Sequence, residues 1–496
     1  MIPKSFSFII FGASGDLTKR KLFPALFDLF SEKRLPERFE IVGIGRTPYS
    51  DSEYRNYLLG QLPKYIKPEA WDNELVNCFI SHIRYETMDP AKEEGFSVLA
   101  EHLKTSNSES VIYYLATPPL LYGVIPQHLK TFGLNGEGTR IIVEKPFGYD
   151  LTSAKQLNEI YRDTFQEQQV YRIDHFLGKE TAQNILAFRF ANSIFEPVWN
   201  RNYIDYVEIT SVENLGIENR GGYYETAGTM RDMVQNHLVQ LLALCAMEPP
   251  VKFDADSFRN EVVKVYDSLV PLTEDYIRDN VIRGQYTAGG NLAGYRQEAH
   301  VAPDSRVETF FAMKAEIDNW RWSGVPFFFR VGKQMPTKVT EIVVHFKKVP
   351  HLLLDNMHGE HPHANKLVLR IQPNEGIVLR FDMKMPGTGF QTKQVEMDFV
   401  YDRLSDVKTG DPYARLIEDC LLDDPTLFTR DDAVESSWKY FDAILDYWKK
   451  HPETPLYGYP AGTWGPLESN ALIESIDGSW TNPCKNLTHT DEYCEL

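Results

Sequence analysis

The chemistry-bearing residues are densest in one run, Arg172-Ile173-Asp174-His175-Phe176-Leu177-Gly178-Lys179-Glu180. Cations, acids and an imidazole alternate here with apolar side chains and a glycine. Charged groups held against apolar neighbours are costly unless paired, so such a run needs a partner. Arg172, His175 and Lys179 are positive donors suited to an anion, and a phosphate fits them best. Asp174 is of the type that fixes the tautomer of an imidazole brought in from elsewhere in the chain.

A second group lies in Arg231-Asp232-Met233-Val234-Gln235-Asn236-His237. From Thr226 onward the segment reads as a helix with Met230, Met233, Val234, Leu238, Leu241 and Leu242 on its apolar face. His237 stands four residues from both Met233 and Leu241, close to the buried side. There it is either a satisfied core histidine or a general base, since imidazole titrates near neutrality at ~6.5. A third group is Gly332-Lys333-Gln334-Met335-Pro336-Thr337-Lys338, whose two loop-borne lysines are either solvated or a further source of positive field.

The elements that must position these groups start at Phe6–Phe11, a short apolar run readable as a buried strand. It stops at Gly12-Ala13-Ser14-Gly15-Asp16-Leu17, and a helical pattern follows through Phe30, in which Pro24 should kink or shift the helix. Strand, glycine turn and helix let backbone amides approach a pyrophosphate, although G-x-x-G spacing also suits a plain tight turn. A second strand, Glu40–Ile44, ends at Gly45-Arg46-Thr47-Pro48, with no acid before Asp51. A carboxylate at this point would repel a 2′-phosphate, whereas a guanidinium grips it, so Arg46 either favours NADP over NAD or is a solvated surface arginine. Strands at Ser110–Ala116 and Thr139–Val143 end in Thr117-Pro118-Pro119 and Glu144-Lys145-Pro146, at the crevice side of a parallel sheet. A helix over Leu151–Phe165 and a strand at Val170 complete a doubly wound pattern up to about residue 175.

Beyond it, strands at Ile204–Glu213, Arg306–Ile317, Phe327–Val331, Glu341–Phe346, Lys366–Gln372 and Gly376–Lys384 suggest a large, mostly antiparallel sheet. Leu215–Tyr224 reads as a glycine-rich loop, and Tyr413–Cys420 and Ala433–Lys449 read as helices. A free face of that sheet would suit an oligomer interface. Tyr459–Pro466 reads as an ordered aromatic wrap and the last twenty or so residues as loosely held. The fold class is therefore α/β and α+β: a Rossmann-like dinucleotide-binding domain over 1–175, then a larger substrate-binding and oligomerisation domain over 176–496.

Bulk properties agree with two soluble domains, since 496 residues exceed one ordinary core. A net charge of −18 argues against nucleic acid as a partner and obliges any anion site to build a local positive field. The five cysteines (Cys78, Cys245, Cys420, Cys484 and Cys494) show neither metal-ligand spacing nor a paired framework. No leader precedes the first strand and no run of apolar residues suffices to span a membrane, so a cytoplasmic protein without membrane or metal partners is expected.

Asp174-His175-Phe176-Leu177-Gly178-Lys179 closely resembles the active-site signature of the glucose-6-phosphate dehydrogenase family, Asp-His-Tyr/Phe-Leu-Gly-Lys. The resemblance runs from the glycine turn to Trp464-Gly465-Pro466. It implies NADP-dependent oxidation of glucose 6-phosphate to 6-phosphoglucono-δ-lactone, at the head of the oxidative pentose phosphate pathway, by a homodimer or homotetramer. It makes His237, in Arg-Asp-x-x-Gln-Asn-His, the catalytic base rather than a core histidine, with Asp174 as its orienting acid. It implies substrate contacts from Lys145, His175, Lys179, Glu213, Asp232, Lys333, Lys338 and Gln372, with Lys338 near the phosphate. It implies cofactor contacts from Gly12, Ser14, Gly15, Asp16, Leu17, Arg46, Pro118, Tyr122 and Lys145. Two departures stand out. Phe176 replaces a frequent tyrosine, and Val339 and Val343 stand where relatives with a second, structural NADP have basic residues, leaving Arg370 alone. A dehydrogenase of an unphosphorylated sugar, sharing Glu-Lys-Pro, would not need the His175–Lys179 cations. A non-enzymatic dinucleotide sensor would show a broken role residue, and none is broken apart from the mild Phe176 change.

Overall fold

The computed structural model describes residues 3–349, 363–387, 391–403 and 411–483, apart from the side chains of Glu69 and Asp402. They form two compact units: Met1–Lys179 with Pro250–Asn260 and Thr409–Glu435, and Glu180–Pro249 with Glu261–Lys408 and Ser436–Leu496. Two later stretches of chain thus return to the first unit.

The first unit is built on β1 (Ser5–Phe11), β2 (Arg38–Gly45), β3 (Ile83–Thr87), β4 (Ser110–Leu115), β5 (Thr139–Val143) and β6 (Val170–Arg172). They are all parallel, in the order β3-β2-β1-β4-β5-β6. A sheet covered on both faces needs apolar residues at successive positions, and β1 is buried from Phe6 to Phe11. The strand order reverses at β1, which opens a crevice at the carboxyl ends of β1 and β4. The residues just past those ends are Gly12 and Ala116.

The helix expected after β1 is present with a defect. Thr18–Leu22 is π-helical and Phe23–Ser31 is α-helical, with Pro24 in the first turn of the α part. A proline lacks an amide, and a wider π turn next to it absorbs the missing bond. Ser50, Asp72 and Asp150 cap the helices Asp51–Gln61, Asn73–Ser81 and Leu151–Thr164, so these begin where the sequence supplies an oxygen acceptor.

The second unit holds β7 (Ile204–Val212), β8 (Val281–Thr287), β9 (Phe310–Glu316), β10 (Pro326–Gly332), β11 (Val339–Phe346), β12 (Lys366–Gln372), β13 (Gly376–Lys384), β14 (Thr392–Val400) and β15 (Tyr457–Pro460). Their order among the described residues is β14-β13-β12-β11-β7-β10-β9-β8-β15. Pairing is antiparallel except for β7 with β10 and β8 with β15. The central strands are buried almost throughout, whereas β14 is half exposed along its length. Tyr459 is fully buried, as an ordered wrap requires.

Three readings need correction. Leu215–Tyr224 is not simply a loop, because a 3₁₀ turn at Glu218–Arg220 leads into the helix Gly221–Thr229. The helix bearing His237 is π-helical over Met230–Leu238 before it becomes α-helical at Val239–Ala246. Of the last twenty residues, those up to 483 are described, and there Thr481 is held, its amide and hydroxyl donating to the buried Glu208 carboxylate at 2.9 and 2.8 Å. Residues 484–496, with Cys484 and Cys494, lie outside the described part.

Candidate active site

In the first unit the glycine turn is shaped for close approach. Gly12 has φ +92°, and a Cβ there would fall 2.2 Å from the Ala116 carbonyl oxygen. The Gly12 and Ala13 amides both donate to the Ile44 carbonyl at 2.9 Å, and the Gly15 amide donates to the Gly12 carbonyl at 2.9 Å. The Thr18 hydroxyl donates to the same carbonyl at 3.0 Å. No side chain caps the start of the following π-helical turn, and the Lys19 amide within it donates to the Gly15 carbonyl at 3.4 Å. Asp16 is exposed and paired with Lys19 and Arg20. Arg46 is exposed just past β2, and Pro118 just past β4. Thr117, also past β4, has a buried Oγ1 without a hydrogen-bond partner among the described residues, an acceptor or donor left for a ligand. Tyr122 is different. It is 1 % exposed and packs in the core with Tyr113, Leu115 and Ile125. These features fit a pyridine dinucleotide.

The organising run sits at the end of β6. Arg172 is the member that does not face a ligand. Its guanidinium donates to Glu167 at 2.6 Å and to Asn158 at 3.2 Å, and it lies 4.9 Å from the Phe147 ring. The expectation that it binds an anion is therefore wrong, because burial already forces it to pair. Asp174 is 3 % exposed and accepts from the Phe176 amide at 2.9 Å. Burial pushes its carboxyl up, while His175, that amide, Lys145 and Lys179 oppose the shift. The His175 ring stacks on Tyr413 with centroids 6.4 Å apart, and the Lys179 ammonium lies 4.5 Å from the Phe176 ring centroid. Phe176 is thus a platform for the lysine without needing a hydroxyl. Gly178 is required because a Cβ would meet the Pro412 carbonyl at 2.8 Å. Glu144, just before Lys145, is buried and accepts from the Tyr114 hydroxyl at 2.5 Å.

In the second unit β7 and β10 run parallel, and their carboxyl ends deliver Glu213 and Lys333 side by side. The Glu213 amide donates to the Gly332 carbonyl and the Met335 amide to the Glu213 carbonyl, both at 2.9 Å. Lys333 is buried, ion-paired with Glu213 and 4.0 Å from the Asp232 carboxylate. The Tyr223 hydroxyl donates to Asp232 at 3.1 Å, and Arg220 reaches the same carboxylate at 3.9 Å. A pocket of about 190 Å³ is lined by Glu213, Gly216, Arg220, Tyr224, Lys333 and the exposed Lys338. His237 is 1 % exposed and Asp232 is 3 % exposed. Both lie on the π-helical segment Met230–Leu238, whose backbone bonds close between residues five apart.

Gln372 stands apart from that pocket's lining. Its amide donates to the Thr340 hydroxyl at 3.0 Å, itself 2.8 Å from the Ser211 hydroxyl. Val339 and Val343 are buried in the core, and Arg370 is ion-paired with Asp398. Tyr223, Arg220 and Tyr413 escaped the sequence reading, because nothing in their local pattern announces which group they will touch. A larger hollow of about 560 Å³ on the first unit has Lys252, Asp254, Arg259 and Asp423 among its walls and contains none of the candidate residues.

Comparison with known proteins bears on both units. Residues 9–184 match the model of the glucose-6-phosphate dehydrogenase NAD binding domain, and residues 186–481 match that of its C-terminal domain. Glucose-6-phosphate 1-dehydrogenase of Treponema pallidum is 46% identical over 98% of this chain and 97% of its own. That of Aggregatibacter actinomycetemcomitans is 48% identical over 96% and 97%. A solved glucose-6-phosphate dehydrogenase in complex with its substrate glucose-6-phosphate superposes with a TM-score of 0.88 at 35% identity, covering 97% of this chain and 99% of that one. The chain belongs to the glucose-6-phosphate dehydrogenase family.

Proposed function

We propose that this protein oxidises β-D-glucose 6-phosphate at C1 to 6-phosphoglucono-δ-lactone, with NADP as the acceptor. The observation that carries the reading is the second-unit pocket, where a buried lysine is held between two carboxylates with a further lysine at the rim. Carboxylates accept from sugar hydroxyls, and the rim cation suits a phosphate. A pyridine dinucleotide is supported by the first unit's sheet and glycine turn, and the preference for its 2′-phosphorylated form by Arg46.

In this reading Gly12, Ser14, Gly15, Asp16 and Leu17 hold the pyrophosphate, with Pro118 and Thr117 beside it. The bound nucleotide supplies the hydride acceptor. Lys145 positions the reacting ends. Glu213, Asp232 and Lys333 orient the sugar hydroxyls, with Gln372 adding to them, and Lys338 meets the phosphate. On the first unit, His175 and Lys179 are assigned to the phosphate as well. His237 takes the proton of the C1 hydroxyl, and Asp174 is assigned to fixing the tautomer of the base. No metal is required in this scheme.

The domains are assigned accordingly, nucleotide binding to the amino-terminal part and substrate binding with oligomerisation to the rest. A homodimer or homotetramer is supported by Met383, Met397 and Phe399, apolar side chains exposed on β13 and β14. A cytoplasmic location agrees with Cys78, Cys245 and Cys420 being free thiols.

Absorbance at 340 nm with glucose 6-phosphate or glucose, each with NADP or NAD, tests the reading. Turnover should need the phosphate and be fastest with NADP. Equal rates on glucose would instead support a dehydrogenase of unphosphorylated sugars.

A further inference from the structure

Glu308 stands just before β9 and is 6 % exposed. Its Oε1 accepts from the Met230 amide at 3.1 Å. Its carbonyl accepts from the Thr229 amide and from the Thr229 hydroxyl, each at 3.1 Å. Met230 opens the π-helical segment that carries Asp232 and His237. The first amides of a helix have no partner inside it, so a carboxylate there both satisfies them and complements the helix dipole.

The chain is broken at this point to admit that carboxylate. Gly228 has φ +64° and ψ 176°, and a Cβ there would lie 2.3 Å from Glu308 Oε1. The next residue, Thr309, extends the connection. Its amide donates to the Gly284 carbonyl at 2.8 Å, and its carbonyl accepts from the Lys333 amide at 3.0 Å. The Lys333 carbonyl accepts in turn from the Tyr459 hydroxyl at 2.7 Å. Two consecutive residues therefore hold the start of the His237 helix and the backbone of the lysine in the sugar pocket.

We propose that Glu308 is a positioning residue for the reaction, setting His237 in register with Lys333 by capping the π-helical segment in the space Gly228 leaves open. This rests on His237 being the base. Glu308 touches neither substrate nor cofactor and acts through the helix. Glutamine retains the acceptor oxygen at the same reach, aspartate withdraws it by one methylene, and alanine removes it.

The test compares kcat, KM and thermal midpoint of the full-length enzyme and its Glu308→Ala, Glu308→Asp and Glu308→Gln variants, in the parent and in a His237→Asn background. Glu308→Ala should lower kcat by about ten- to a hundredfold, within the range for a mispositioned base, while KM for the sugar phosphate moves by less than about threefold. Glu308→Gln should keep at least about a third of kcat, and Glu308→Asp should resemble alanine. In the His237→Asn background Glu308→Ala should cost less than about a further twofold, because residues acting through one group are not additive. A kcat for Glu308→Ala within about threefold of the parent overturns the proposal, as does an undiminished loss in the His237→Asn background. If the alanine variant does not fold, the contrast between aspartate and glutamine decides in its place. Full turnover in His237→Asn itself removes the base assignment and this proposal with it, whereas its loss beside an unaffected Glu308→Ala removes this proposal alone.

Discussion

The Lys333 ammonium lies 4.0 Å from the Asp232 carboxylate while it is ion-paired with Glu213, although 101 residues separate Lys333 from Asp232 and 120 separate it from Glu213. A buried ammonium is stable only beside such acids, and the acids in turn hold it in place. Replacing Lys333 by methionine removes the ammonium between Glu213 and Asp232 and leaves only Arg220, 3.9 Å from Asp232, near them. KM for the sugar phosphate should rise by at least about tenfold, the equivalent of roughly 1.4 kcal/mol or more. Steady-state kinetics check this, and an unchanged KM removes Lys333 from the substrate site.

Arg46 is expected to discriminate between cofactors. It is exposed beyond β2, where a guanidinium can meet the 2′-phosphate without having to leave an internal partner. Arg46→Ala should weaken NADP by about ten- to a hundredfold, as for the loss of a charge-assisted contact, and leave NAD nearly unaffected. The two Michaelis constants measured side by side give the answer. Equal loss for both cofactors would assign Arg46 another role.

For the phosphate, Lys179→Ala and Lys338→Ala should both raise KM for glucose 6-phosphate. Lys338→Ala should spare whatever activity on plain glucose is measurable, because its cation is exposed at the pocket rim. Lys179→Ala should lower kcat as well, since Lys179 is among the groups that hold the raised carboxyl of Asp174 down. Normal KM in both variants would leave the phosphate without its assigned partners.

His237→Asn should cost about 10²–10⁴ in turnover with substrate binding close to normal. Asp174→Asn should be slow as well, and the double variant should be much less impaired than the product of the two losses. His175 is the more conspicuous imidazole in the sequence, but it stacks on Tyr413 beside the Lys179 cation. Rates and dissociation constants for His237→Asn and His175→Asn decide. Loss of rate in the second with retention in the first would make the assignment wrong.

Stability should carry a pH signature at Asp28. Burial, helped by Glu32 and Asp411 and opposed by Lys67, pushes its carboxyl from 3.8 to about 6. The folded protein thus holds that proton more tightly than the unfolded chain. The resulting stability is complete below pH 3.8 and is lost as pH rises through about 6. Asp28→Asn, which mimics the protonated form, should stabilise by about 1–2 kcal/mol at pH 8, since solvent screens a partly exposed group, and by much less at pH 4. Urea midpoints at the two pH values measure it. A gain of the same size at both would mean that ionisation is not the cause.

What the sequence determined by itself was local. The turn Gly12–Gly15 was legible because its strand, its glycines and its helix are contiguous, and the requirement for glycine comes from backbone geometry within that turn and its neighbouring strand. Most strands were legible where apolar runs or alternation exceeded five residues, as in β10 and β12. Strands β3, β8, β14 and β15 were not. They are short, or mixed in polarity, and become strands because a neighbouring edge offers them backbone partners. The tertiary structure alone decided that Arg172 is consumed by Glu167, that Tyr122 is core, and that Lys333 is buried between acids while Lys338 is not. It also decided that the His237 segment is π-helical, with Asp232 and His237 both buried on it. Periodicity along a chain carries the burial of a face, but pairing between charges and the width of a helical turn depend on groups brought in from far along the chain. Glu308, at the start of that segment, is seventy-eight positions from Met230.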